Sequence, residues 1–116
     1  MTAPRPDSPS LAERASGALL AHAAGNALGV PTEFLHTPDA ILEEFPGGVR
    51  DIIRRDTPRS PFDDDVAMAL LLAEELLAGD VDLERLAGRW IQWLDTDGRG
   101  AGNWTRTALN HIRTHG

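Results

Sequence analysis

Ser60-Pro61-Phe62-Asp63-Asp64-Asp65-Val66-Ala67-Met68-Ala69-Leu70 is the stretch whose reading decides the fold. Three consecutive aspartates follow a proline and open an apolar run that continues through Leu76-Leu77 and stops at Gly79. The pattern predicts a helix over 63–78, with Asp63 able to cap its free N–H groups and Gly79 able to take a positive φ after its last turn. Cα–Cβ bonds lean toward a helix's N-terminus, so the three carboxylates converge just beyond that end. Two unit charges about 6 Å apart repel by about 3 kcal/mol at an effective dielectric of 20. The helix dipole returns only about 0.3–1 kcal/mol per carboxylate. Either water screens the three charges or a cation sits between them. On spacing alone, a solvated and over-capped helix start accounts for the same residues.

Toward the N-terminus, Ser10-Leu11-Ala12-Glu13 has the spacing of a capping box and predicts a helix over 10–28. Its residues are mainly Ala, Leu and Gly. Gly17, Ala21, Ala24 and Leu28 share one stripe, and Ala15, Ala18, His22 and Gly25 share another. Small residues on several sides predict close approach by other helices, as in the middle of a bundle. Gly29 ends the helix and Pro31 forbids its immediate resumption, which leaves Glu33 on a short loop. Thr37-Pro38-Asp39 starts a short helix over 38–45, with Ile41, Leu42 and Phe45 expected inward and Pro46-Gly47-Gly48 as the stop. Arg50, Arg54, Arg55 and Arg59, interleaved with Asp51 and Asp56, read as a solvated loop surface. Residues 1–9 hold three prolines and little that is apolar, which predicts a disordered tail before a single domain over 10–116.

Toward the C-terminus, Asp80 or Asp82 caps a helix over 82–94. Leu83, Leu86, Ala87, Trp90, Ile91 and Leu94 recur on one face that should be buried, and Trp90 and Trp93 read as core. Asp95-Thr96-Asp97-Gly98 resembles the start of a calcium loop, but Arg106 stands at the twelfth position, where a bidentate Glu belongs. The glycines that follow lead instead into a helix over 103–113. Free N–H groups at such a start suit an anion such as a diphosphate. A tight turn with Asn103 as cap explains the same letters.

Composition narrows the class. Eleven arginines, no lysine and eighteen acids give a net charge of −7, which disfavours nucleic acid and acidic membranes as partners. The chain has no cysteine, so disulfides, thiolate metal sites and a cysteine nucleophile are excluded. No leader or spanning-length apolar stretch is visible, and a soluble, cytoplasmic protein is expected.

Three blocks in order resemble the ADP-ribosylglycohydrolase family, all-helical hydrolases with a dinuclear metal site. Gly25-Asn26-Ala27-Leu28-Gly29, followed by Glu33-Phe34, is similar to the family's Gly-Asp-Ala-Leu-Gly and Glu-Phe. Asp63-Asp64-Asp65-Val66 stands where the family has Thr-Asp-Asp-Thr. Gly102-Asn103-Trp104-Thr105-Arg106 is similar to its Gly-Asn-x-Thr-Arg. The resemblance runs from about Leu11 to Ile112 and implies an all-α bundle, the N-terminal part of that fold. It implies that Asp64 and Asp65 ligate Mg²⁺ or Mn²⁺, with Asp63 able to join them. It also implies Glu33 and Asp65 as catalytic groups, and Gly100, Gly102 and Asn103 as residues that hold substrate. The family reaction releases ADP-ribose from a modified protein side chain or small-molecule conjugate.

Asn26 departs from an Asp, Asp63 from a Thr, and Val66 from a hydroxyl residue that can ligate. The family's later Asp-x-Asp-Ser/Thr motif does not occur in this sequence. The expectation is therefore an incomplete N-terminal fragment that does not turn over alone and that self-associates or packs against a missing C-terminal part. The competing expectation is a catalytically inactive relative or a small helical interaction or regulatory module.

Overall fold

A computed structural model describes residues 8–54 and 61–116. The described residues form five α-helices and no strand: α1 (Leu11–Gly29), α2 (Pro38–Glu44), α3 (Asp64–Leu77), α4 (Leu83–Thr96) and α5 (Asn103–His115). A 3-10 turn, Val30–Thr32, prolongs α1 and buries Pro31. The all-α expectation holds, and each expected helix is present with its ends shifted by one or two residues. Tail residues 1–7, Arg55, Asp56, Arg59 and Ser60 lie outside the described residues.

The caps show why these segments start where they do. The Ser10 hydroxyl accepts from the Glu13 N–H at 3.2 Å while the Ser10 N–H donates to the Glu13 carboxylate at 2.7 Å, a complete capping box. Thr37 caps α2 through the Ala40 N–H at 3.2 Å, and Asp82, not Asp80, caps α4 through the Arg85 N–H at 3.0 Å. Gly79 has φ of 127°, a backbone that other residues rarely adopt.

The helices pack in series: the C-terminal part of α1 on α3, α3 on α4, and α4 on α5. Ala27, Val66, Leu86, Ala101 and Leu109 are buried, one from each of the pieces that meet there. Trp90 reaches across from α4, its indole N–H donating to the Met68 carbonyl at 3.2 Å. Leu83 and Leu42, expected inward, are exposed instead, Leu83 at the rim of an open groove between α4 and the end of α5. The crowded surroundings expected for α1 are also absent among the described residues. A Cβ built on Gly17, Gly25 or Gly29 would meet nothing within 4 Å, and Leu20 is 71% exposed. Among the described residues, only the end of α1 that carries Asn26 and Ala27 is packed.

Candidate metal centre

Asp63 occupies the cap position of α3, but its side chain makes no capping bond. The expected cap is replaced by a contact across the fold. Asn26 on α1 donates from Nδ2 to Asp63 Oδ1 at 2.8 Å, and the Asp63 backbone N–H donates back to Asn26 Oδ1 at 2.8 Å. The same amide lies 3.4 Å from Asp65 Oδ2. Asn26 is thus in place because α1 packs its last turns on the start of α3, and 37 residues of sequence separate the two partners.

The three carboxylates are gathered at that end of α3, each offering an oxygen within 4.8 Å of the others. Asp63 is 9% exposed, Asp64 half-buried and Asp65 exposed. Burial, and then the charges of Asp63 and Asp65, push the Asp64 carboxyl above its ordinary value. No arginine pairs with any of the three among the described residues. Pairwise repulsion of about 3.5 kcal/mol at this separation and an effective dielectric of 20 is offset only in part by the helix dipole.

An open cavity of about 340 Å³ lies against the triplet, lined by Gly25, Asn26, Gly29, Val30, Glu33 and the three aspartates. Glu33 comes from the end of the 3-10 turn, so Pro31 and that turn deliver it to the same space as residues 30 positions later. The structure therefore brings together Glu33, Asp63, Asp64 and Asp65.

Gly100, Gly102 and Asn103 do not line this cavity. Gly100 instead backs onto the triplet: a Cβ there would sit 2.6 Å from Asp64 Oδ1 and 2.7 Å from Asp63 Cγ and Oδ2. With φ of 76° the position requires glycine on both steric and conformational grounds. Arg106 holds the loop, donating from Nε to the Ala101 carbonyl at 2.9 Å and from Nη2 to the Gly98 carbonyl at 3.0 Å. Gly102, rather than Asn103, caps α5, and among the described residues no side chain bonds the first N–H groups of that helix. Val66 is buried in the core.

Asn26 and Arg106 are the residues whose roles sequence reading missed. Asn26 stood out as a departure from the family block, but the partner it holds lies far away in sequence. Arg106 enters the sequence reading as the last letter of a motif and as the residue that rules out a calcium loop, and neither signals that it holds the Gly98–Ala101 turn.

Hard oxygen donors at one helix end, short of cations, are a suitable set for Mg²⁺ or Mn²⁺. The ADP-ribosylglycohydrolase family matches residues 7–116, and the chain belongs to that family. A curated relative, the ADP-ribosylarginine hydrolase Tri1 of Serratia proteamaculans (strain 568), is 33% identical over 119 residues. That match takes in 96% of this chain and 31% of the relative, so the chain spans about a third of the relative's length. No solved structure matches. Among the described residues, no helix is long and apolar enough to cross a membrane.

Proposed function

We propose that this chain carries the first half of the site of a metal-dependent, cytoplasmic hydrolase that releases ADP-ribose from a modified arginine side chain or a small conjugate. One observation carries the reading: Glu33 and the aspartate triplet, from helices far apart in sequence, converge on one open cavity. Asp64 and Asp65 would hold Mg²⁺ or Mn²⁺. Such a cation supplies positive charge for ribose hydroxyls and makes bound water more acidic. Charge bookkeeping supports its presence, since ADP-ribose carries a diphosphate and the triplet would otherwise repel it.

Asp65, the exposed member, orients the attacking water at the cavity mouth. Glu33, which lines the same cavity, would pass a proton to the leaving guanidine nitrogen as the glycosidic bond breaks and the water oxygen bonds to the anomeric carbon, the proton lost by that water restoring the Glu33 carboxyl. The uncapped N–H groups of α5, next to Gly102 and Asn103, suit the diphosphate. The name of the relative supports arginine as the acceptor. Exposed apolar side chains on α1 support further helices, or a second copy, packing on it before turnover is possible.

The test is calorimetric titration of Mg²⁺ and Mn²⁺ into the chain, compared with Asp64→Asn and Asp65→Asn, alongside ADP-ribose release from an ADP-ribosyl-arginine peptide. Metal uptake lost in both variants, with no release by the 116-residue chain alone, is expected. Equal heats in all three proteins would leave the triplet as a helix start and favour an interaction module.

A further inference from the structure

We propose that Asp63 is a positioning residue and not a metal ligand: wedged between Asn26 and Gly100, it locks three elements together so that Asp64 and Asp65 present the ligating oxygens. Oxygen-to-oxygen distance does not separate the three carboxylates, because all lie within 4.8 Å of one another. Their surroundings do. Asp63 is held at two points by one side chain, through its carboxylate and through its backbone N–H, both at 2.8 Å. Its other oxygen faces the loop backbone at Gly100, where not even a methyl group fits; Asp64 Oδ1 lies against the same glycine, so the two-point hold by Asn26 is what sets Asp63 apart. Both carboxylate oxygens thus have protein against them, and the residue, although it borders the cavity, is 9% exposed. Asp65 opens to solvent, and Asp64 is half-buried.

The charges follow the same logic. Asn26 is neutral, and its amide N–H and carbonyl oxygen match the acceptor and donor of Asp63, with Nδ2 also 3.4 Å from Asp65 Oδ2. A carboxylate at position 26 would lose the donor and face another carboxylate. The loop side is equally determined, since Arg106 bonds the carbonyls on either side of Gly100 and so sets how closely that glycine approaches. Asp63 thereby joins α1, the start of α3 and the loop before α5. The role assigned to Asp64 and Asp65 rests on the function proposed above.

The experiment is Mn²⁺ titration, followed by electron paramagnetic resonance, of the 116-residue chain and four variants. Asp63→Asn keeps both bonds to Asn26 and should weaken binding by less than about threefold. Asn26→Ala frees Asp63, and with it gives up the longer 3.4 Å contact to Asp65, and should weaken binding by about 10–100-fold, as loss of a residue that orients ligands does. Asp64→Asn and Asp65→Asn should weaken it at least as much. Asp63→Asn as damaging as Asp64→Asn, or Asn26→Ala without effect, overturns the proposal alone. Absence of Mn²⁺ uptake by the parent overturns the metal assignment itself and with it the ligand role of Asp64 and Asp65. Thermal melts in a chelator give a second readout: Asn26→Ala and Asp63→Ala should lower the midpoint, whereas Asp64→Ala and Asp65→Ala should not. Equal midpoints across those four variants would also overturn the locking role.

Discussion

At the N-terminal end of α3, Asp63, Asp64 and Asp65 gather with no arginine against them among the described residues. Toward its C-terminal end, Glu74 and Glu75 are gripped by Arg85 and Arg89 of α4. Glu75 is 1% exposed, yet the bonds from Arg85, and then Arg89, hold its carboxyl below the usual carboxylate range in spite of burial. Asp64, half-buried and beside two further acids, is pushed the other way. The helix and the residue class are the same, so the difference lies in the neighbours. One end has been neutralised by the fold, which reads as structure; the other has been left short of positive charge beside an open cavity, which reads as a site.

The contrast can be broken most forcefully at the structural end. Replacing Arg85 and Arg89 together by Ala leaves Glu75 enclosed without a cation, and should lower the melting temperature more than any single substitution in the aspartate triplet. Circular dichroism melts check it; an unchanged midpoint would make the pairs ornamental.

Cation addition should act only at the other end. Mg²⁺ or Mn²⁺ at a hundredfold excess over its Kd should stabilise the chain by about 2.7 kcal/mol. Asp64→Asn should remove that gain, and Glu74→Gln should keep it. Differential scanning calorimetry with and without metal is the measurement.

Gly100→Ala tests the wall behind the triplet. The added Cβ must displace carboxylate atoms 2.6–2.7 Å away and adopt a positive φ, so a loss of about 1–3 kcal/mol is expected together with weaker Mn²⁺ binding. A fully stable Gly100→Ala chain would show that the loop yields.

The smallest effect carries the clearest sign. Asp64 has a raised carboxyl, so the folded state binds its proton more tightly than the unfolded chain does. The resulting penalty is present above the raised value and disappears as pH falls below the ordinary aspartate value of 3.8. Asp64→Asn should therefore raise metal-free stability near neutral pH by about 0.5–1 kcal/mol after solvent screening, and make no difference in acid. Glu75 has the opposite linkage. Its contribution is complete above 4.5 and is lost as pH falls through its depressed value. Denaturant midpoints against pH for Asp64→Asn and Glu75→Gln should diverge in these two directions.

What the sequence determined by itself is local. Ser10 with Glu13, Thr37 before Pro38, and Asp82 start α1, α2 and α4 through bonds spanning three residues, and the positive-φ glycine at 79 follows the end of α3; α3 and α5 start without a side-chain cap. The aspartate run and the family blocks likewise point to the site, because a metal centre needs its acids close together and three are adjacent in the chain. Which apolar face is buried was less legible: Leu42 and Leu83 fit a helical stripe but stay exposed, since periodicity names a face without naming what covers it. Only the tertiary structure decided what Asp63 does. From sequence it caps its own helix, whereas in the fold its carboxylate leaves that helix for Asn26, 37 residues away, and presses on the backbone of Gly100. A short side chain can serve a local bond or a distant one, and the choice depends on how α1 and the Arg106-held loop pack against α3.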